Sequence, residues 1–303
     1  MSSGSVNLWH ELIARQFPAL GPLSVVDLGE GCDSIAVEAN GRLVFRFPKR
    51  ADVAQQLAIE ARILPVLAPT SPVPIPVFQF FGEATAEWPR RFVGYPKLPG
   101  RPANQLEPAS GPPLHLAPAI GRFLSWLHAF PIDEAAAHGV PRQSLDSVID
   151  EIRTDALDDL DLVAAIAPDA PINSLRRYLR EVRVDAGCAR VLVHNDVAAE
   201  HVLIDAEAQR VTGVIDWSDI AISDPAADFA GIFHWGGDPF ADAVLAAYEG
   251  ALDNGFRRRA RFMAVCRGAM DVAFGRQFAR PEYVRFGLRA MQLCHNPRHQ
   301  WRT

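Results

Sequence analysis

The segment 191–228 places the strongest constraint on what this 303-residue chain can fold into. It contains three short runs rich in β-branched residues, at 191–193, 202–204 and 211–215. Polar residues 205–210 separate the second run from the third, and a connection of this length predicts that the two runs pair as antiparallel strands. This pairing would bring three polar side chains towards one cleft: Asp196, His201 and Asp216.

Two acids and a third donor that converge on one cleft are what phosphoryl transfer needs. Asp196, in the loop after the first run, could position an alcohol and accept its proton. Asp216, just past the third run, could hold a cation that neutralises phosphate groups. A lone His-x-Asp pair is common in ordinary loops, so this prediction depends on the ordered set and its spacing between strands.

Three motif positions, 194–196, His201 and 215–217, resemble the catalytic segment of the aminoglycoside phosphotransferases, which are protein-kinase-like kinases of small molecules. That segment reads His-Gly/Asn-Asp, then Asn or His, then Ile-Asp-Trp/Phe. With histidine at position 201, the chain is most similar to the aminoglycoside 2''-phosphotransferases and the macrolide 2'-phosphotransferases.

This resemblance implies a role for each residue of the segment. Asp196 is implied as the catalytic residue, and His201 and Asp216 are implied as ligands of Mg²⁺. His194 and Asp228 are implied as structural supports of the catalytic loop. Magnesium prefers oxygen ligands to imidazole, so we expect Asp216 to contribute more to metal binding than His201.

A glycine-rich turn lies between two predicted strands, 23–29 and 35–38, and Asn40-Gly41 predicts a tight hairpin before a third strand over 43–47. Such a turn allows backbone amides to approach phosphates, although alone it also fits a plain hairpin. Its place before the third strand resembles the 2''-phosphotransferases, which implies nucleotide binding by Gly29, Gly31 and Ser34. No Walker-type Gly-x-x-x-x-Gly-Lys-Ser/Thr motif is present, so P-loop chemistry is not expected.

Arg46 stands on the third strand, where the kinase pattern has a lysine paired with a helix glutamate. The macrolide kinases resemble this chain in having arginine there, and arginine can grip phosphate bidentately. The predicted helix 52–67 offers Glu60 as the partner, and both residues are implied at the nucleotide site. Glu60 could instead be a surface carboxylate. Lys49 is the competing cation, but we expect it to face solvent beyond Pro48.

A stretch punctuated by proline and glycine, 94–100, predicts a hinge between two lobes. In the resembling kinases this linker binds the nucleobase through backbone groups, which implies three nucleotide contacts: Tyr95, Lys97 and Leu98. Because the prolines at 96 and 99 lack an N–H group, Lys97 and Leu98 are the expected backbone donors.

Two regions could recognise the phosphate acceptor. The predicted helix 143–167 carries acids that could cradle a polycation but also fit a solvated helix face: Asp155, Asp158, Asp159 and Asp161. The stretch 234–238 lies where the 2''-phosphotransferases carry several acids, which implies acceptor contacts by Trp235 and Asp238. Its aromatic residue and small number of acids are less suited to an aminoglycoside.

The fold class that follows is α+β, a bilobal protein-kinase-like fold. Residues 1–95 are expected to form an N-lobe with a five-stranded antiparallel sheet and one helix, and 96–100 to form the hinge. Residues 101–303 are expected to form a larger, mostly helical C-lobe with the catalytic loop. Its last helices are predicted over 239–254, 257–278 and 281–293.

Composition agrees with a globular enzyme: 49% of residues are hydrophobic, and no apolar run approaches the roughly 20 residues of a membrane span. The formal charge of −6 argues against a nucleic-acid partner and mildly favours cationic ligands. The four scattered cysteines are expected to be reduced thiols. We therefore expect a cytoplasmic monomer with no nucleic-acid or membrane partner. The resemblance adds Mg²⁺, ATP or GTP as the phosphoryl donor, and a small-molecule antibiotic as the substrate.

The favoured reaction is transfer of the γ-phosphoryl group of a nucleoside triphosphate to a hydroxyl group of an aminoglycoside. Three alternatives stay open: a macrolide acceptor, an ordinary metabolite as acceptor, and a non-catalytic nucleotide-binding protein. The last would not need a base such as Asp196. Protein kinase activity is not expected, because Asp216-Trp-Ser replaces Asp-Phe-Gly and the interval to Asp224 is too short for an activation loop.

Overall fold

The computed structural model describes residues 3–31, 33–106, 111–184, 189–207 and 209–295. Its N-terminal elements are α1 (Ser3–Gln16), β1 (Val25–Glu30), β2 (Ser34–Ala39), β3 (Leu43–Pro48), α2 (Ala51–Leu67), β4 (Phe80–Gly82) and β5 (Phe92–Pro96). The strands form one antiparallel sheet in the order β1-β2-β3-β5-β4. The helix α2 connects β3 to the far side of the sheet, as a small kinase-like lobe requires.

The turn between β2 and β3 sets the register of this sheet. Asn40 and Gly41 have φ angles of 55° and 68°, the left-handed conformations that a two-residue hairpin turn needs. Ala39 therefore pairs with Leu43, and further along the ladder Ala36 pairs with Arg46. Both members of this last pair line the cleft below the sheet, so a local turn determines where the Arg46 side chain emerges.

Aromatic side chains pack between the sheet and α1. Trp9, Phe45, Phe47 and Phe92 are buried, and the rings of Phe47 and Phe92 stack with centroids 4.5 Å apart. Burying a phenylalanine side chain contributes about 1.5–3 kcal/mol. This packing gives the strands that carry the nucleotide side of the cleft a rigid backing.

The rest of the described chain is mostly helical. Its helices are α3 (Ala117–His128), α4 (Ile132–Ala137), α5 (Leu145–Ile166), α6 (Ile172–Glu181), α7 (Ala226–Leu245), α8 (Phe256–Gln277) and α9 (Pro281–His295). Its strands are β6 (Arg101–Pro102), β7 (Val191–Val193), β8 (Val202–Asp205), β9 (Arg210–Val214) and β10 (Ala221–Ser223). The predicted pairing of β8 with β9 is present, and β7 pairs with β10, which was not predicted.

One predicted helix differs at its end. A helix was expected over 239–254, and α7 spans Ala226–Leu245 as two helical segments separated by a kink at Gly237, whose φ of 61° is outside the helical range. Glycine adopts this conformation without the steric penalty that a side chain would bring. Pro239 therefore lies in the first turn of the second segment, as predicted, but this segment ends at Leu245 and not at 254.

The bilobal, mixed helix and sheet architecture confirms the predicted fold class. The larger hydrophobic cluster is continuous from Leu57 and Ile63 of α2 into the helical part, so the two lobes share packing. The lobe boundaries at 95 and 100 stay a prediction. None of the described helices is long and apolar enough to cross a bilayer. Cys266 and Cys294 are buried free thiols, whereas Cys32 and Cys188 lie outside the described residues.

Candidate active site

A cavity of about 480 Å³ separates the sheet from the helical lobe. Its upper wall is the glycine turn together with Arg46 and Tyr95. Its floor is the loop after β7 and the segment after β9, with Asp196, His201 and Asp216. The remaining wall comes from α8 and α9. The three ionisable residues that the sequence placed in one cleft therefore do share one cleft.

The loop that carries Asp196 is held by a buried carboxylate at the first turn of α7. Asp228 accepts backbone hydrogen bonds from His194 (3.1 Å) and Asn195 (2.6 Å), and its Oδ2 lies 2.9 Å from His128 Nε2. Asn195 has a φ of 70°, so the loop turns sharply just before Asp196. This geometry favours the predicted supporting role of Asp228, because a side chain far along the chain fixes two consecutive amides.

His194 is fully buried and makes contacts through both ring nitrogens. Its Nε2 lies 3.1 Å from the Ile215 carbonyl and therefore donates, while Nδ1 accepts the Asp196 N–H at 3.3 Å. Burial lowers the pKa of His194, which favours this neutral tautomer. His194 thus connects the loop after β7 to the end of β9. This connection fixes the position of Asp196 relative to Asp216, as the predicted supporting role would require.

His201 lies between the two acids. Its Nδ1 is 3.1 Å from Asp196 Oδ2 and 2.9 Å from the Asp196 carbonyl, and its Nε2 is 3.7 Å from Asp216 Oδ2. Burial alone would lower the pKa of His201, but the Asp196 carboxylate and then Asp216 raise it to about 10. The imidazole is therefore protonated and acts here as a counter-ion, with Nε2 as the nitrogen that faces Asp216.

Arg46 crosses the upper part of the cleft and makes the predicted pair with Glu60. Arg46 Nη1 donates to Glu60 Oε2 at 2.8 Å, and Nη2 donates to Asp216 Oδ1 at 3.0 Å. Burial raises the pKa of Glu60 to about 7 despite this ion pair. Because the planar guanidinium has several donors, one side chain links the helix α2 to the segment after β9.

One carboxylate oxygen of Asp216 accepts hydrogen bonds from neighbouring side chains, and the other oxygen is more open. Its φ is 61°, and its Oδ1 accepts hydrogen bonds from both Arg46 and Ser218 Oγ, the latter at 2.9 Å. Among the described residues, no cluster of three or more histidine, cysteine or carboxylate side chains is arranged to enclose a metal ion. A nucleotide-bound Mg²⁺ uses one or two carboxylates together with phosphates and waters, so two side chains can suffice.

The glycine turn contains the three predicted residues, and all of them line the cleft: Gly29, Gly31 and Ser34. The Gly31 N–H donates to the Ser34 carbonyl at 3.0 Å. Lys49 was expected to face solvent, but its Nζ donates to the Gly31 carbonyl at 2.8 Å. A long, flexible side chain that follows a strand can fold back over the neighbouring turn, and here it holds that turn closed.

The predicted backbone donor at Lys97 is wrong. The Lys97 N–H donates to the Arg42 carbonyl at 2.8 Å, because the ladder between β3 and β5 continues past Pro96. The Lys97 ammonium pairs with Glu38, away from the cleft. Tyr95 lines the cleft as expected. The Leu98 side chain packs towards Gly213, and its role in nucleobase binding stays a prediction.

None of the four predicted acceptor-binding residues is among the described residues that line this cleft: Asp155, Asp158, Trp235 and Asp238. The acids of α5 lie on its outer face, and Asp161 pairs with Arg176 at 2.7 Å. Asp238 pairs with Arg261, while Trp235 is 3% exposed and packs on Phe240. Trp235 lines a smaller adjoining cavity together with Glu200, Asp271 and Tyr283, so its predicted acceptor contact stays a prediction. The roles of Asp155, Asp158 and Asp238 also stay predictions, which their position outside the cleft does not support, because α5 turns its apolar side towards the core and leaves its acids in solvent.

The helical side of the cleft is lined by residues outside the predicted motifs: Glu200, Arg267, Met270, Asp271, Phe274 and Tyr283. Arg267 donates to Asp196 Oδ1 and, at 2.7 Å, to Glu200 Oε1. Asp271 Oδ2 lies 2.8 Å from His234 Nε2. The detectable signal was the spacing of Arg267 and Asp271, which places two opposite charges on one face of the otherwise apolar stretch 262–275 of α8.

The charges around Asp196 determine its ionisation. Burial would raise the pKa of Asp196, but Arg267 and then His201 outweigh it and hold this pKa well below the usual range. Asp219, also on the cleft, has its pKa raised to about 6 by burial and by the nearby Asp196. At neutral pH Asp196 is therefore an anion that can orient a hydroxyl group and receive its proton.

The geometry can be compared with known proteins. The sequence model of the phosphotransferase enzyme family, APH, matches residues 26–262. A curated relative, viomycin phosphotransferase of Streptomyces vinaceus, is 31% identical over 129 residues, which are 34% of this chain and 45% of that protein. The match thus spans less than half the length of this relative.

Two solved structures match over nearly the whole chain. The GDP complex of aminoglycoside 2'-phosphotransferase-IIIa has a TM-score of 0.74 and 28% identity, with 96% of this chain and 98% of that chain covered. Macrolide 2'-phosphotransferase type I has a TM-score of 0.63 and 26% identity, with 97% and 98% covered. Because the family model spans most of the sequence, including the glycine turn and the catalytic segment, the chain belongs to the phosphotransferase enzyme family.

Proposed function

We propose that this protein transfers the γ-phosphoryl group of a nucleoside triphosphate to a hydroxyl group of a small molecule. The observation that carries the proposal is the convergence of Asp196, His201 and Asp216 on the floor of one cleft roofed by a glycine turn. In this reaction the hydroxyl oxygen bonds to the γ-phosphorus, its proton passes to Asp196, and the bond to the nucleoside diphosphate breaks.

We assign the nucleotide to the sheet side of the cleft. Gly29, Gly31 and Ser34 would approach the phosphates, and Arg46, held by Glu60, would supply positive charge. Tyr95 lines the inner end, where the base would lie beside the segment 96–100. ATP and GTP both fit this assignment, and the GDP-bound relative supports testing GTP first. The division into lobes 1–95 and 101–303 is part of the same proposal.

The donor set also fits Mg²⁺. Asp216 offers a carboxylate oxygen and His201 offers Nε2 beside it, whereas Asp196 faces the acceptor. When bound, Mg²⁺ would neutralise charge on the phosphates. Because imidazole is a poor partner for this ion, Asp216 would be the main ligand. His201 would have to give up the proton that it holds between the two acids.

For the acceptor we favour a cationic, hydroxyl-rich antibiotic such as an aminoglycoside. Glu200 and Asp271 line the side of the cleft next to Asp196 and can bind ammonium groups. Phe274 and Tyr283 lie on the same wall and would favour a macrolide instead, and Arg46 matches the macrolide kinases. An ordinary metabolite is the third possibility. A role in antibiotic resistance, a monomeric state and a cytoplasmic location, without nucleic-acid or membrane partners, complete the proposal.

The test is nucleotide consumption in the presence of Mg²⁺ and one acceptor at a time. ATP and GTP would each be offered with kanamycin, with erythromycin and with a panel of hydroxylated metabolites. We expect kanamycin to give the largest stimulation, with phosphorylated product detected by mass spectrometry. Stimulation by erythromycin alone would redirect the acceptor assignment. No stimulation by any acceptor, with nucleotide still bound, would leave a binding protein and overturn the proposed activity.

A further inference from the structure

Arg267 is a cation at the place where an acceptor must arrive. It extends from the inner face of α8 into the cleft, between Met270 and Asp271 on one side and the catalytic loop on the other. One guanidinium nitrogen donates to Asp196 Oδ1 and the other to Glu200 Oε1 at 2.7 Å. A single side chain thus bridges the proposed base and the nearest acceptor-binding carboxylate.

This bridge occupies the proposed base. Asp196 Oδ2 is already 3.1 Å from His201 Nδ1, so both oxygens of the Asp196 carboxylate have a charged partner. A hydroxyl group that is to be deprotonated must come within about 2.6–3.2 Å of the base. It can do so from the helical side only if the guanidinium moves or shares Oδ1. In the arrangement seen here, Arg267 stands between the base and an acceptor entering along α8.

The surrounding charges suit a cation other than Arg267. Asp196, Glu200 and Asp271 all face the guanidinium, so three carboxylates share one arginine. Asp271 also has His234 Nε2 at 2.8 Å. If Arg267 swings away, Asp196 and Glu200 lose their ion pair inside a partly buried cleft. An acceptor with an ammonium group would restore that pairing, whereas a neutral acceptor would leave the carboxylates without a counter-charge.

We propose that Arg267 is a specificity-determining residue that occupies the acceptor's cationic subsite and yields it only to a positively charged acceptor. The inference rests on the proposed kinase function and goes beyond it by naming the residue that an acceptor must displace to reach Asp196. The position of Arg267 also explains how water is kept away from the Asp196 carboxylate. While the bridge is closed, a water molecule at the γ-phosphate has no free carboxylate oxygen on the α8 side to take its proton. Nucleotide hydrolysis without an acceptor, which would release nucleoside diphosphate and phosphate, stays slow.

The variant that tests this is Arg267→Met, which keeps the unbranched shape but not the charge. Arg276→Met is the matched control, because Arg276 lies on the same helix, is exposed and does not line the cleft. Kanamycin would serve as the cationic acceptor, and fully N-acetylated kanamycin as the same scaffold without the charges. The quantities measured are acceptor-independent nucleotide hydrolysis, the calorimetric Kd of each acceptor, and kcat/KM for each.

In Arg267→Met we expect hydrolysis without acceptor to rise about tenfold, a part of the 10²- to 10⁴-fold that a positioned base contributes. Kanamycin should bind more tightly, because its internal competitor is gone, and the kcat/KM of the N-acetylated form should rise as well, because it no longer has to displace the guanidinium. Arg276→Met should match the unchanged protein. A merely structural Arg267 would give the opposite result, namely weaker kanamycin binding and lower hydrolysis, and this would overturn the inference.

A second variant covers the case in which Arg267→Met unfolds. Arg267→Lys keeps a charge, but its compact ammonium group cannot span both carboxylates, so it should show the same changes to a smaller extent. Unchanged hydrolysis and unchanged affinity for kanamycin in this folded variant would also overturn the inference. If the unchanged protein consumes nucleotide with kanamycin but the variants show no change in hydrolysis or in kanamycin affinity, only the inference about Arg267 fails. If no acceptor stimulates the unchanged protein, the proposed function fails and the inference with it.

Discussion

The sheet wall and the helical wall of the cleft differ in how far apart along the chain their interacting residues lie. On the sheet wall, Arg46 and Glu60 are 14 residues apart, and the glycine turn lies just before them. On the helical wall, Arg267 is 71 residues from Asp196 and 67 from Glu200. The first wall is assembled from one hairpin and the next helix. The second depends on how α8 is rotated against a distant loop.

This difference determines which contacts can be predicted from the pattern of residues along the chain. A hairpin turn determines the faces of its two strands, so the positions of Ala36 and Arg46 follow from Asn40-Gly41. A helix offers several faces, and only its packing against other helices decides which one meets the cleft. Four perturbations of the site test whether the two walls have the separate roles proposed for them.

The largest effect is expected from Asp196→Asn, which removes the base shared by both walls. Turnover should fall by about 10²- to 10⁴-fold, the usual contribution of a general base. Nucleotide affinity should be retained, because the glycine turn and Arg46 are untouched. Turnover and nucleotide Kd would be measured with the best acceptor. A variant that keeps more than half of the original turnover would rule out Asp196 as the base.

On the floor of the cleft, where Asp216 contacts Arg46 of the sheet wall, Asp216→Ala should weaken Mg²⁺-dependent nucleotide binding by at least about 100-fold, because even outer-sphere partners of a metal contribute 10- to 100-fold. His201→Ala should weaken it less, since imidazole suits this ion poorly. Titration of nucleotide with and without Mg²⁺ separates metal-dependent binding from the rest. Equal losses in the two variants would mean that His201 is a full ligand.

On the helical wall, Asp271→Asn should raise the KM of the acceptor about tenfold with a smaller change in kcat, because a charged hydrogen-bond partner is lost in the bound state. Asp155→Asn is the matched control, since Asp155 is exposed on α5 and does not line the cleft. Steady-state kinetics with kanamycin would measure both. A KM effect at Asp155 but not at Asp271 would restore the acidic face of α5 as the acceptor site.

The smallest effect is the salt dependence of acceptor binding. Affinity for kanamycin should fall several-fold between low and physiological salt, where charges are screened over about 8 Å. A macrolide held by Phe274 and Tyr283 should respond much less, because burial of apolar surface does not depend on ionic screening. Calorimetric titrations at two salt concentrations would compare them. Tight, salt-insensitive binding of erythromycin with no response to kanamycin would assign the wall to a macrolide.

Much of the fold and the floor of the site follows from the sequence by itself. The strands β7, β8 and β9, the Asn40-Gly41 turn and the pair of Arg46 with Glu60 all lie where local patterns and the family resemblance predict them. These features have short-range causes: buried runs rich in β-branched residues, the left-handed turn residues, and a loop held between two strands. Such causes act within a few residues and can be read in order along the chain.

Which charged residues line the helical side of the cleft was decided by the tertiary structure alone. Asp155 and Asp158 form the most visible acidic cluster, yet they lie on the solvent side of α5, whereas Glu200, Arg267 and Asp271 meet in the cleft. The Lys97 N–H likewise donates a hydrogen bond to the Arg42 carbonyl, just before the neighbouring strand β3. The physical reason is the same in both cases: the face that a helix buries and the partner of a strand end depend on packing against elements distant in sequence, which no local pattern specifies.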